Sequence, residues 1–305
     1  MGIVRGDHLA VGLSFKSIGC FSGGPETLLD AFLEILGPDG TLMVNTFTPL
    51  FGQSRLRIAK TDQVFDSSLS PATTGIFAET LRRHPDSLRS SHPTCSVAAI
   101  GALARYLTQG HDRKAGAFLP YSRLTEANGK IMSIGIGDKL AGFRHEAQRL
   151  AGLLKVVPWK LGCRYVDEQG RVRIFIQKDP PGCVSRLHEL VPPMRKSGIV
   201  TDGWVGEARS LSVQAKIALN IMIERLRSHP ELYLCDNFRC LWCRELERRM
   251  DLYGRIEKCR WFQRNPVITL IAVTNWLRLG GNPIVYRVRQ LADATGLQLP
   301  KKVFR

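Results

Sequence analysis

Four cysteines in the last quarter of the chain, Cys235, Cys240, Cys243 and Cys259, are spaced C-x4-C-x2-C-x15-C. Thiolates at such intervals can hold zinc or an iron–sulfur cluster. No histidine lies among them, and the spacing fits no standard zinc finger. The run from Cys240 to Met250 reads as a helix, which sets Cys240 and Cys243 one turn apart. Packing residues with no metal are therefore the expectation. Further on, Trp261, Phe262, Trp276 and Tyr286 are interleaved with Arg260, Arg264, Arg278, Arg287 and Arg289. Such a mixture suits an anionic membrane, a nucleic acid, or a protein face that covers the core or pairs two copies. The protein face is the favoured reading. Nucleic acid is not expected; peripheral contact with an anionic membrane and a homo-oligomer remain open.

A second stretch with chemical potential is Ser14-Phe15-Lys16-Ser17-Ile18-Gly19, and the elements around it must position it. Leu9, Val11 and Leu13 alternate along His8 to Phe15, as in a strand. Gly19 to Gly24 forms a turn, and Pro25 suits the first turn of a helix. Leu28, Leu29, Phe32, Leu33 and Leu36 give that helix its apolar stripe, and Gly37 stops it. Thr41 to Val44 starts a second buried strand. Strand, glycine-containing loop, helix, strand is the pattern of an α/β unit. Backbone amides of such a loop can hold a pyrophosphate, with Lys16 adding a cation and Ser17 a hydroxyl. Alone, the stretch is also what an ordinary strand-to-helix connection looks like.

Downstream, Thr74 to Arg83, Ser96 to Leu107 and Leu211 to Leu226 read as helices. Lys130 to Ile136 reads as a strand, and Tyr165 to Gln177 as a hairpin. The fold class is α/β, a mixed central sheet flanked by helices with a helical C-terminal extension. The core spans 1–235, and 236–305 is a basic, mostly helical extension. That extension holds 14 Lys or Arg against 6 Asp or Glu, half of a net charge of +16 over 305 residues. A surface so basic attracts anions such as coenzyme A, nucleotide sugars or acidic lipids, and repels cations. Met1 to His8 show no signal-like apolar core, and the longest apolar run, Pro266 to Leu277, is too short for a membrane span. Eight cysteines without a secretion signal suggest reduced thiols in the cytoplasm.

Several separated segments together resemble one family. They are Gly2 to Asp7, Ser14 to Gly19, Gly23 to Leu28, Gly40 to Met43 and, densest of all, Arg89 to Gly101. Gly110-His111, Gly116, Pro120, Gly129-Lys130-Ile131, Val205 to Ala208 and Pro230 to Cys235 follow in order. The chain is similar to the aminoglycoside 3-N-acetyltransferases, whose fold differs from that of the GNAT acetyltransferases. The resemblance covers about three quarters of the chain and does not reach the extension.

The resemblance implies an acetyl-CoA-dependent N-acetyltransferase, with acetyl-CoA as cosubstrate and a small-molecule amine as acceptor. Such transfer needs a bound carrier, an unprotonated amine and a stabilised oxyanion. The family's motif has a histidine followed three residues later by a glutamate. In Gly142-Phe143-Arg144-His145-Glu146-Ala147-Gln148, His145 falls on that catalytic histidine and Gln148 stands in the glutamate's place. Gln can orient the ring but supplies no charge; Glu146 is a substitute only if the backbone there is irregular. The resemblance also implies coenzyme A contacts at Ser14, Phe15, Lys16, Ser17, Gly19 and Ser96. The family's His-Ser-Ser-Leu after the first strand is Gly12-Leu13-Ser14-Phe15 here, so only Ser14 survives. His92 reads as structural or substrate-adjacent rather than catalytic, and His111 still less as catalytic. The family name points to an aminoglycoside, whereas the basic charge favours a neutral or anionic amino sugar. A degenerate, non-catalytic binding or scaffold protein is the rival reading.

Overall fold

The computed structural model describes residues 1–250 apart from 21, 53–62, 141, 155–160, 179–181 and 238–239. The contacts divide the chain into two compact units, Met1–Leu234 and Cys235–Arg305. Among the described residues no helix is long and apolar enough to cross a membrane. Cys259 and the aromatic and arginine positions beyond residue 250 lie outside the described residues.

The first unit opens with β1 (His8–Leu13), helix α1 (Gly24–Leu36) and β2 (Thr41–Asn45). Short strands β3 (Phe51–Gly52) and β4 (Val64–Phe65), helix α2 (Ile76–Arg83) and β5 (Leu88–Arg89) follow. Next come β6 (Val97–Gly101), α3 (Ala104–Thr108), α4 (Leu119–Glu126), β7 (Lys130–Ile134) and α5 (Phe143–Leu150). The hairpin β8 (Leu161–Val166) and β9 (Val172–Ile176) leads to α6 (Val191–Lys196). The unit continues with β10 (Val200–Val205), β11 (Ala208–Gln214) and α7 (Ala215–Ser228). In the second unit, α8 (Leu241–Met250) is the described helix.

A seven-stranded mixed sheet runs in the order β10-β11-β7-β1-β2-β6-β5, and β8 pairs with β3, β4 and β9 in a second sheet. At the centre β1 is parallel to both β2 and β7, with Leu9 opposite Leu42 and Lys130. The helical crossover between β1 and β2 makes that parallel pairing reachable. Leu9, Val11, Leu42, Val44, Met132 and Ile134 share a core cluster with Leu29, Phe32 and Leu36 of α1 and with Phe77 and Leu81 of α2. The central strands are buried on both faces, with Leu9 to Val11, Leu42 to Val44 and Ile131 to Ile134 inaccessible at successive positions.

Two expected helices are corrected. The stretch Ser96 to Leu107 splits into β6 and the short α3. Strand β6 lies between β2 and β5 and is antiparallel to both. Its residues Val97 to Ile100 are buried throughout, so period-2 alternation has no polar face to show. Gly101 ends it at φ 114°, where an added Cβ would meet the Gly40 carbonyl oxygen at 2.2 Å. Leu211 to Gln214 likewise belong to β11, antiparallel to β7, and the helix begins only at Ala215. Burial beside β7 outweighs the helical spacing that Val213 shares with Ile217.

Candidate active site

The carboxyl ends of the three parallel strands β1, β2 and β7 carry the candidate residues, the edge of an α/β sheet where side chains converge. His145 lies in the first turn of α5, a regular helix rather than a loop. The N-terminus of that helix is fixed by Tyr121, whose hydroxyl donates to Asn45 Oδ1 at 2.8 Å and accepts from the Gly142 N–H at 3.2 Å. A side chain at position 142 would sit 2.9 Å from the Tyr121 ring and 3.2 Å from Phe47, so glycine is required for this approach. One end of β2 is thereby linked to the start of the histidine's helix.

Helical spacing of three residues brings Gln148 Oε1 to 2.9 Å from His145 Nδ1. Gln148 Nε2 donates to the Cys183 carbonyl oxygen at 3.2 Å. The amide is thus oriented from both ends: its oxygen accepts from Nδ1–H, leaving Nε2 as the proton-accepting nitrogen of the neutral ring. The ring stacks on Phe118, centroids 5.3 Å apart. Burial pushes the His145 pKa down to about 4, the Gln148 hydrogen bond raises it less, and the Arg144 charge lowers it further. The imidazole is neutral at physiological pH but weakly basic. Glu146 offers no compensating charge. Fully buried, it accepts from Ser122 Oγ and pairs with Arg149 through two 2.7 Å bonds. Because the helix is regular, position 146 is turned away from Gln148, and the idea that Glu146 replaces the missing carboxylate is corrected.

Ser14, Phe15, Lys16, Ser17 and Gly19 follow β1 directly, with Phe15–Ile18 forming a single 3-10 turn. The Ser14 N–H donates to the Ile134 carbonyl oxygen at 2.9 Å, and Ser17 Oγ lies 2.8 Å from Ser14 Oγ and 3.3 Å from the Gly135 oxygen. The loop is therefore tied to the exit of β7, which leads on to α5. Lys16 and Ser17 are exposed. Helix α1 begins after Gly23 without a side-chain cap, which leaves its first N–H groups for an anion. Gly19 has φ 87° and ψ −165°, a region open to glycine alone, and an added methyl would lie 2.6 Å from Glu207 Cδ. Gly19→Ala should cost roughly 1–3 kcal/mol and weaken acetyl-CoA binding; thermal unfolding and titration would show both.

Ser96 sits elsewhere, fully buried. Its hydroxyl donates to the Thr46 carbonyl oxygen at 2.8 Å and accepts from Arg89 Nε at 3.3 Å, bracing the exit of β2. His92 is buried, accepts the N–H groups of Thr94 and Cys95 at Nδ1, and stacks on His111 with centroids 4.8 Å apart. The structure uses both rings as packed polar groups. Burial drives the Cys95 thiol up to about 11 and the Cys163 thiol up to about 12, which removes both as nucleophiles near neutral pH.

Three buried imidazoles make stability depend on acid. Burial lowers His92 to about 4, as it does His145, and His111 well below its usual value. The unfolded chain takes up these protons from about pH 6.5 downward, while the folded chain does not. Stability is thus complete above pH 6.5 and lost as pH falls toward the folded values. The loss should reach on the order of 2 kcal/mol per histidine by pH 5. Urea unfolding at pH 7.5 and pH 5 should show it, and an unchanged midpoint would contradict it.

Residues 11–227 match the family model described as aminoglycoside 3-N-acetyltransferase. The chain belongs to the aminoglycoside 3-N-acetyltransferase family. It is 30% identical over 247 residues to aminoglycoside N(3)-acetyltransferase VII of Streptomyces paromomycinus, covering 71% of this chain and 84% of that one. It is 32% identical over 244 residues to aminoglycoside N(3)-acetyltransferase III of Pseudomonas aeruginosa, covering 75% and 90%. The solved structure of AAC-VIa bound to sisomicin superimposes with a TM-score of 0.65 at 26% identity, covering 74% of this chain and 93% of that one.

As a member of the aminoglycoside 3-N-acetyltransferase family, the chain carries a mixed central sheet with flanking helices. Three contributors to the site were not visible in the sequence. Phe118 lies between the matched positions Gly116 and Pro120, and that flanking match was the available signal. The Tyr121–Asn45 bond spans 76 residues, and the Cys183 contact is made by a carbonyl, which any residue type supplies.

Proposed function

We propose that this chain transfers the acetyl group of acetyl-CoA to an amino group of an aminoglycoside or other amino sugar, with His145 as general base. The single observation that supports the reading best is the Cys183–Gln148–His145 relay. It points the unprotonated Nε2 away from the supporting amide, as proton acceptance requires. The acceptor nitrogen attacks the thioester carbonyl carbon as Nε2 takes its proton. The carbon–sulfur bond then breaks, and coenzyme A leaves as a thiolate that regains a proton. Ser14 to Gly19, with the uncapped start of α1 and the Lys16 cation, would hold the carrier's phosphates. Gln148 orients the ring in both protonation states without charge.

The glutamine also supports a second reading, a family member that binds the carrier but turns over slowly or not at all, because the neutral amide at Nδ1 stabilises an imidazolium less than a carboxylate would. Calorimetric titration with acetyl-CoA tests the shared premise. Saturable heat, weakened by Lys16→Glu, is expected. No heat and no thermal shift at millimolar acetyl-CoA would exclude both readings.

A further inference from the structure

Acetyl transfer leaves the cysteines of the second unit without a task. Among the described residues Cys235, Cys240 and Cys243 come together, their Sγ atoms within 4.8 Å of one another. Cys243 lies in the first turn of α8 and Cys240 immediately before it. The Cys240 N–H donates to the Asn237 carbonyl oxygen at 2.9 Å, turning the chain into the helix. The Cys235 N–H donates to Cys243 Sγ at 3.3 Å, so the backbone at Cys235 already faces that sulfur. Arg244 donates to the Cys235 carbonyl oxygen at 2.5 Å and pairs with Glu247 at 2.6 Å, which ties α8 to the chain at Cys235. Cys235 and Cys243 are both buried.

We propose that Cys235, Cys240 and Cys243 bind one structural zinc ion as thiolates, contrary to the packing role expected from the helical spacing. Zinc–sulfur bonds of about 2.3 Å in a tetrahedron set sulfurs about 3.8 Å apart. Three sulfurs already within 4.8 Å need only a small contraction to surround one ion. The C-x4-C-x2-C interval also occurs in plant-type iron–sulfur proteins. A cluster of that kind, however, spreads its cysteines over two irons, farther apart than ligands of a single ion. A disulfide would use two of the three sulfurs and leave the third unexplained. Binding releases the thiol protons to solvent, with no change in oxidation state. It leaves one negative charge on the three-thiolate unit. A fourth ligand, a further thiol or a water, completes the tetrahedron. The ion would pin the start of α8 to the chain at Cys235, making zinc affinity part of the folding free energy of this unit. The proposal stands apart from the acetyl-transfer reading.

The test uses the full chain, purified without added metal. Elemental analysis should find about one zinc per chain. Blocking the thiols with a mercurial should release it to a chromogenic indicator, a readout that needs no variant to fold. Cys240→Ser and Cys243→Ser should lower zinc content about tenfold, whereas Cys20→Ser, at an exposed position of the first unit, should leave it unchanged. Cobalt exchange should give a sulfur-to-metal charge-transfer band whose intensity counts the thiolates. Less than about 0.1 zinc per chain together with rapid alkylation of the three thiols would overturn the proposal. A disulfide among them, or iron with inorganic sulfide and visible absorption, would overturn it equally.

Discussion

The His145→Ala protein is expected to turn over roughly 100- to 10,000-fold more slowly than the parent. The imidazole acts when the acceptor nitrogen sheds its proton, so its loss should fall on kcat, while KM for acetyl-CoA stays nearly constant. The substitution also removes a buried ring stacked on Phe118 and leaves Gln148 Oε1 without its donor. A stability cost of about 1–3 kcal/mol follows from that unpaired acceptor alone. His145→Gln retains a polar side chain at the same place and separates folding from chemistry. If it unfolds near the parent temperature yet remains slow, the deficit belongs to the base.

Gln148→Glu should move the acid limb of kcat/KM upward by about one to three pH units, the shift typical of an opposite charge within hydrogen-bond reach. The sign follows from the proton it favours. A carboxylate at position 148 stabilises the imidazolium and raises the His145 pKa from about 4, so a higher pH is needed to free Nε2. On the plateau above that limb turnover should rise, because a stronger base takes the amine proton more readily. The same change removes the Nε2 donor that now serves the Cys183 carbonyl oxygen and sets a second acceptor against it. The variant should therefore lose about 1–3 kcal/mol of stability. A pH–rate profile identical to the parent's would show that position 148 does not act on the histidine.

Local patterns carried much of the first unit. Pro25, the Leu28 to Leu36 stripe and Gly37 outline α1 by themselves, and the apolar runs on either side become β1 and β2. The β8–β9 hairpin was readable because Asp167 closes its own turn, accepting the N–H groups of Gln169 and Arg171 at 3.0 and 2.9 Å. Strand β6 was not, since Val97 to Ile100 are buried on both sides and small residues such as Ala98 and Ala99 fit either period. The site divides in the same way. His145 and Gln148 stand three apart on one helix, so motif position led to both. Phe118, Tyr121 and the Cys183 carbonyl reach α5 from distant segments, through contacts that only the folded chain creates. Ser96 shows the converse: it falls within the densest matched segment, yet its hydroxyl is committed to Thr46 and Arg89.

Catalysis of acetyl transfer by this chain is tested most directly by one assay. The full chain is mixed with acetyl-CoA and an aminoglycoside bearing a free 3-amino group near neutral pH. Thiol release is followed over time, and the acceptor is then weighed by mass spectrometry. Thiol release that depends on the acceptor, an acceptor heavier by one acetyl group, and a rate that collapses in His145→Ala are expected. Acetyl-CoA that binds but is never consumed with any amino-sugar acceptor would contradict these expectations, as would a His145→Ala protein that keeps the parent's full rate.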